Sequence, residues 1–431
     1  MKEKRSLLHS VGNVCGGILI GLALWTVAHA AGIFTGIPQP STTGTPAYPY
    51  MTGNELVPAD TGLAQGIVPE TITLPSSALA GATYGSPRNF LGNGSMLGTQ
   101  VNGTSTVTCA TTSSPTTAAL SADRWVCDAN VGSGAGNSAV ATATPTPPVG
   151  YTNEIKLNRV SGSLAQPVCA WQAIPTPQST QLQSQNVTFS LFAAAMANLS
   201  ADNGNVANLV IISGTGTDQG FNGAWTASPA ITPAWTGITT VVNASINLTT
   251  TYARFSTTAL IPATATEVGV GICFTPTTTS TGSATDGLAF TGTQLERGTV
   301  ASLFEVRPRQ TEILDNQQFV VSIKEGAATI TRAMCMASST TLAICGLQFP
   351  VPMYKVPTMV YTNGFATATT TAGSTLGACT TLRTSTLVAG NAPGTNGVLL
   401  DCVAGTVPAA GSADYLADNA GSGVITAWTG F

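Results

Sequence analysis

Histidine is almost missing from this chain of 431 residues: His9 and His29 are the only two, and both lie before residue 31. Beyond that point serine or cysteine catalysis with a histidine base, histidine zinc sites and histidine general acids are excluded. Charge is scarce as well. Charged residues make up 8% of the chain and the net charge is −4, with basic residues scattered apart from Lys2-Glu-Lys-Arg5. That excludes a nucleic-acid binder, which needs clustered Lys and Arg to neutralise phosphates. Cys-x-x-Cys is also missing, which removes zinc ribbons and thioredoxin-like chemistry. No repeat of fixed period is present, so a solenoid or propeller is not expected.

What the chain has instead is glycine, proline and small hydroxyl residues, 46 Gly and 25 Pro among them. From Arg88 to about Pro308, short runs of alternating apolar residues are separated by Gly, Asn, Pro and Thr clusters. Ala170–Ile174, Val187–Phe192, Leu209–Ile212, Thr250–Phe255 and Glu267–Phe274 are the clearest, and strands of this length at this spacing predict a β-sandwich or jelly roll. Leu191–Leu199 reads locally as helix, yet its first half is assigned to a strand with Val187–Phe192.

The nine cysteines comprise Cys15 in an apolar N-terminal segment and eight others. Spacing favours pairing Cys335 with Cys345 and Cys379 with Cys402, with Cys109/Cys127 and Cys169/Cys273 completing the set. The competing reading is that they are small buried hydrophobes.

The chain is long enough for several units. Residues 1–31 combine Lys2-Glu-Lys-Arg5, an apolar run from Val14 to Ala28 and a small-x-small site at Ala28-His-Ala30. They read either as a cleaved secretory signal or as a retained apolar anchor, the run being short for a bilayer span. Residues 32–85 are rich in Pro and Gly; Met51–Gly62 and Ile67–Leu74 read there as two short strands. Residues 86–310 form the expected jelly roll and 311–431 a C-terminal β domain, opened by Phe319-Val-Val-Ser-Ile-Lys324 and closed by Val424-Ile-Thr-Ala-Trp428.

Gly292-Thr-Gln-Leu-Glu-Arg-Gly298, followed by Leu303-Phe-Glu-Val-Arg-Pro308, resembles the closing strand of carbohydrate-binding-module-like jelly rolls in bacteriophage tail fibres and related virion proteins. Asn89–Met96 is similar to the opening strand of that family, and Ser121-Ala-Asp-Arg-Trp125 to its "ADRW" segment. Met51–Thr71 resembles a segment that precedes receptor-facing parts of such fibres, and Leu347-Gln-Phe-Pro-Val-Pro-Met353 a hairpin of their C-terminal domains. One departure is that Thr311–Phe319 lacks the cysteine that usually follows, so the connection to the last domain is expected to differ.

The resemblance implies an all-β protein: a jelly-roll sandwich, then a smaller β-sandwich, with a short apolar N-terminal segment. It implies a non-enzymatic virion protein, a homotrimeric fibre or appendage that attaches to host surface polysaccharide and meets other virion proteins through its N-terminal region. The alternatives are a purely structural head, neck or tail decoration and an exported bacterial surface protein. Localisation follows, on the virion or on the bacterial cell surface.

Trp225 and Trp235, in a Gly/Pro-punctuated stretch, are the candidate sugar platforms; filling of the core or of a subunit interface is the competing reading. Trp125 and Trp171 are assigned to the core. Glu154, Asp286, Glu296 and Glu305 could supply a glycosidase pair, but Glu296 and Glu305 with Arg297 and Arg307 more simply form a charged strand edge or intersubunit ion pairs. No cofactor or metal is expected; the resemblance to carbohydrate-binding sandwiches would allow a structural calcium between loops, but no Asp-rich loop of calcium-binding spacing supports it. Asn-x-Ser/Thr triplets at Asn93, Asn102, Asn186, Asn198, Asn243 and Asn247 follow from composition.

Overall fold

The computed structural model describes residues 50–52, 55–57, 72–73, 88–110, 119–129, 137–141, 148–159, 167–199, 203–221, 225–226, 232–277, 286–324, 331–362, 365–368, 375–385, 393–404, 413–417 and 423–431. The apolar segment 1–31 and most of the module 32–85 lie outside them. Met1–Ala82 and Thr83–Phe431 are separate compact units. In the first, Tyr50–Thr52 pairs with Glu55–Val57, which pairs with Ile72–Thr73. The run expected as one strand from Met51 thus holds two paired strands, Tyr50–Thr52 and Glu55–Val57.

The second unit begins with twelve strands that form two antiparallel six-stranded sheets. They are β1 (Val107–Thr108), β2 (Leu120–Ala122), β3 (Trp125–Ala129), β4 (Asn137–Ala141), β5 (Glu154–Asn158) and β6 (Val168–Ile174), then β7 (Asn186–Ala195), β8 (Val206–Gly214), β9 (Thr239–Asn247), β10 (Ala253–Leu260), β11 (Glu267–Phe274) and β12 (Gly287–Arg297). The first sheet runs β10-β7-β12-β5-β4-β1 and the second β9-β8-β11-β6-β3-β2. This is the expected sandwich. Residues 187–195 are strand throughout, because Val187, Phe189, Leu191, Ala193 and Ala195 alternate into the core while helix-like composition is overridden by pairing on both sides.

Between the sheets, Phe189, Leu191, Phe290 and Leu295 of the first meet Trp125, Leu209, Ile211, Val270 and Ile272 of the second. Trp125 and Phe290 make an edge contact with centroids 5.4 Å apart, the favoured geometry for an aromatic pair. The second sheet is buried on its outer face too: Cys169, Trp171, Val210 and Ile212 pack there against Phe221, Trp235, Phe319, Trp428 and Phe431. Burial on both faces explains why β6 and β11 read as almost continuous apolar runs. On β11 the outward positions are Gly269 and Gly271, where a side chain would strike Trp235 at 2.9 Å and Trp171 at 2.4 Å.

Helix α1 (Arg309–Gln317) follows the sandwich, begun by Pro308, whose fixed φ suits a helix start, and carrying Glu312 in its first turn. Sequence reading left this stretch unassigned. Nine strands follow: β13 (Val320–Lys324), β14 (Thr331–Ser339), β15 (Leu342–Gln348), β16 (Thr358–Thr362), β17 (Ala366–Ala368), β18 (Thr375–Thr384), β19 (Gly397–Ala404), β20 (Ala413–Ala417) and β21 (Val424–Trp428). After α1 the C-terminal part is all-β as expected, but where a smaller β-sandwich was expected a closed barrel stands. Its main sheet closes on itself in the order β14-β15-β19-β18-β17-β20, flanked by the sheet β13-β21-β16. Around Phe365, Leu400 and Leu416 this ring has its own core.

Four disulfides link Cys109–Cys127, Cys169–Cys273, Cys335–Cys345 and Cys379–Cys402, with Cα–Cα distances of 4.6, 4.1, 3.9 and 5.2 Å. This is the pairing that spacing favoured, and such a set is the mark of an oxidising, extracellular environment.

Candidate functional site

The outer face of the first sheet is where polar chemistry collects. Its motif residues act first as a latch. Gln294 and Glu296 point outward from β12 and hold the segment that follows it: Ser302 N donates to Glu296 Oε1 at 2.8 Å, and Glu305 N donates to Gln294 Oε1 at 2.7 Å. Asn89 joins the two recognised motifs, since its Nδ2 donates to Thr293 O at 3.0 Å, its Oδ1 accepts from Leu295 N at 3.0 Å, and its own N–H donates to Glu305 Oε2 at 2.6 Å. Glu296 is buried, which corrects the expectation of a charged strand edge at that residue. It lies in a strand with neighbours on both sides and its ion-pair partner is Arg88 at 3.5 Å, whereas Arg297 donates to Gln181 O at 3.0 Å. Glu305 does pair with Arg307, at 3.9 Å within the chain.

Beside the latch lies a cluster of half-buried aromatic and charged side chains. Tyr151, just before β5, packs on Phe192 of β7 and on Phe304, with centroid separations of 5.5 and 5.4 Å. Gly292 makes room for it. This residue sits at a bulge in β12 with φ +61°, where glycine is at ease, and a Cβ there would lie 2.8 Å from the Tyr151 ring. Arg254, directly opposite Phe192 in the register, lies 5.9 Å from that ring, and its guanidinium donates to Ser190 Oγ at 3.2 Å and to Ser302 O. Tyr252 donates to Glu154 Oε2, and Lys156 Nζ lies 3.7 Å from Glu154 Oε1. Burial pushes the Tyr151 hydroxyl up to about 12, with Arg254 opposing, and burial together with Glu154 raises that of Tyr252 further. Both phenols are therefore protonated donors at neutral pH.

Partly exposed rings flanked by an arginine and a lysine are the ingredients of a sugar-binding face: rings for the apolar side of a pyranose, charged groups for its hydroxyls, with the buried Glu154 carboxylate holding Tyr252 beneath them. None of Tyr151, Phe192, Tyr252 or Arg254 was singled out in sequence. A signal existed only in Gly292, whose bulge aims Tyr151.

The tryptophans fare differently. Trp235 is not a platform: it is 5% exposed, its ring stacks on Phe221 with centroids 5.3 Å apart, and its indole N–H donates to Gly220 O at 2.9 Å. Gly269 of β11 leaves a hollow that this ring fills. Trp225 belongs to a two-residue strand paired with Thr232–Pro233, and its side chain lies outside the described residues. Trp125 and Trp171 are core residues, as expected.

Of the four carboxylates considered for catalysis, Glu154, Asp286 and Glu296 are buried. Asp286 lies 3.7 Å from Arg159, and the others are held as described above. Among the described residues no group of three or more His, Cys, Asp and Glu is placed to hold a metal ion, and no helix is long and apolar enough to cross a membrane.

No protein-family model matches the chain, and no curated protein matches it either. Among solved structures it is similar to the enzymatically active domain of tailspike protein 4 of bacteriophage CBA120, with 11% identity and a TM-score of 0.29, over 49% of this chain and 22% of that one. It is also similar to TmCBM61 in complex with beta-1,4-galactotriose (11% identity, TM-score 0.25, 49% of this chain and 100% of that one). The K2 cleaved adhesin domain of Lys-gingipain is a third (11% identity, TM-score 0.24, 46% and 100%). At these scores the likenesses decide nothing about function, and the fold rests on the strand pairing given above.

Proposed function

We propose that this chain is a non-enzymatic bacteriophage virion protein that attaches the particle to host surface glycan through the outer face of its first sheet. The observation that carries this is the cluster of Tyr151, Phe192, Tyr252, Arg254, Glu154 and Lys156 on the sandwich. The motif resemblance supports the virion setting, and the four disulfides support an extracellular one. A homotrimer would repeat a shallow site threefold, so weak single contacts gain strength from multivalency. Attachment to other virion proteins is assigned to the N-terminal region.

The test is binding of the full chain to polysaccharide purified from candidate host surfaces, with Tyr151→Ala and Arg254→Gln as variants. Saturable binding weakened at least about tenfold by Tyr151→Ala, one lost hot-spot contact, is the expected result. No binding to any host polysaccharide would leave a purely structural decoration protein. Release of reducing ends would overturn the non-enzymatic part.

A further inference from the structure

Arg124 is the residue the glycan reading does not use. It sits at the turn between β2 and β3 with φ +71°, is 3% exposed, and forms no ion pair among the described residues. One terminal nitrogen donates to Ala173 O at 3.2 Å, the guanidinium carbon lies 4.0 Å over the Phe319 ring, and Nε is buried with no partner. A buried cation held by one carbonyl and one ring is costly, because burial without a counter-charge is rarely tolerated.

The same side chain lines a cleft of about 180 Å³ between the sandwich and α1. Arg307 lines it as well, and its Nε is also buried without a partner. Gln178, Gln181 and Gln318 add amide groups to the wall. One carboxylate lines the cleft, Asp315 at 3.6 Å from Arg307, whose guanidinium also pairs with Glu305 outside the lining at 3.9 Å and donates to Asn89 O. Burial, then Arg307, push the Arg124 guanidinium down to about 9, with Asp315 opposing. Two arginines thus face one small space that holds a single, partly exposed carboxylate.

We propose that this cleft is a binding site for a small oxyanion, a phosphate- or carboxylate-sized group received by Arg124 and Arg307. The guanidinium fork matches the two oxygens of such groups. At about 180 Å³ the space is well below the roughly 300–1,000 Å³ of pockets for drug-sized ligands. It fits a free anion or the acidic substituent of one sugar ring, and it does not depend on the glycan face described above.

Calorimetric titration of the full chain with inorganic phosphate, with galacturonate and with neutral galactose, at fixed ionic strength, tests this. One saturable site per chain for either anion and none for galactose is expected. Phosphate binding alone identifies a free anion, and galacturonate binding alone identifies an acidic sugar as the source. Arg124→Gln should weaken binding at least about tenfold. Asp315→Asn, at a half-exposed position that does not risk the fold, should tighten it about threefold or more by removing the competing carboxylate. Absence of saturable anion binding to the folded chain, or an unchanged affinity in Asp315→Asn, would overturn the proposal.

Discussion

Tyr252 donates its hydroxyl hydrogen to the buried carboxylate of Glu154, tying the start of β10 to the start of β5 across the outer face of the first sheet. Hydrogen bonds to charged groups contribute about 1.5–3 kcal/mol. Tyr252→Phe should lower unfolding free energy by that order in urea titrations and weaken glycan binding. A variant with unchanged stability would show the bond to be inconsequential.

Gly292→Ala separates site from fold. Its backbone is left-handed and its Cβ would meet Tyr151 at 2.8 Å, so the ring must move. Loss of glycan binding is expected, at about 1 kcal/mol or more of stability, with the far-ultraviolet circular dichroism spectrum retained. Wild-type affinity in this variant would remove Tyr151 from the site.

The disulfides should rank by the loop each closes. Chain-entropy reasoning gives about 4.7 kcal/mol for Cys169–Cys273, separated by 104 residues, and about 2.7 for Cys335–Cys345, separated by 10. Paired Cys→Ala variants compared by thermal unfolding should show the larger fall for the first pair, and the reverse order would show that local packing outweighs loop entropy.

Asp128, buried in β3, makes stability depend on pH. Burial raises its carboxyl from 3.8 to about 8, and neither carboxyl oxygen finds a hydrogen-bond partner among the described residues. The folded state therefore holds a proton that the unfolded state has released, and stability declines as pH rises from about 4 to about 8. Asp128→Asn should remove that decline and add on the order of 1–3 kcal/mol at pH 8. Unfolding curves at pH 5 and pH 8 decide it. A wild-type protein no less stable at the higher pH contradicts the assignment.

Phe431 is fully buried against the outer face of the second sheet, where Phe221 N donates to Gly430 O at 2.8 Å. Phe431→Ala should cost about 3–5 kcal/mol, the usual loss for a buried phenylalanine. Gly220 lies so close to Gly430 O that a Cβ would stand 1.9 Å from it, so Gly220→Ala should loosen the same contact. Limited proteolysis should then release the last strand sooner than in the wild type.

The longest buried strands were legible, although shorter buried ones such as Glu154–Asn158 were not. Glu267–Phe274 was read with the bounds the structure gives it, because every residue of β11 is enclosed. Strand 239–247 was not read and 253–260 was read as 250–255, since alternate residues are exposed and Thr and Asn fill them. Helix α1 was missed because its sequence is polar and short. The helix is held from outside, by contacts such as Ser95 Oγ to Glu312 at 3.2 Å.

By itself, the sequence determined the all-β class, the division into short strands, the disulfide partners favoured by spacing and the exclusion of histidine chemistry. These depend on composition and local periodicity, which survive without knowledge of distant neighbours. Tertiary structure alone decided which side chains share a surface. Tyr151, Phe192, Tyr252 and Arg254 share a face because β7 pairs with β10 and β12 alone separates β7 from β5. Trp235 was turned inward for the same kind of reason: Gly269 on a neighbouring strand left a space its ring could fill, and burying an indole is worth more than exposing it.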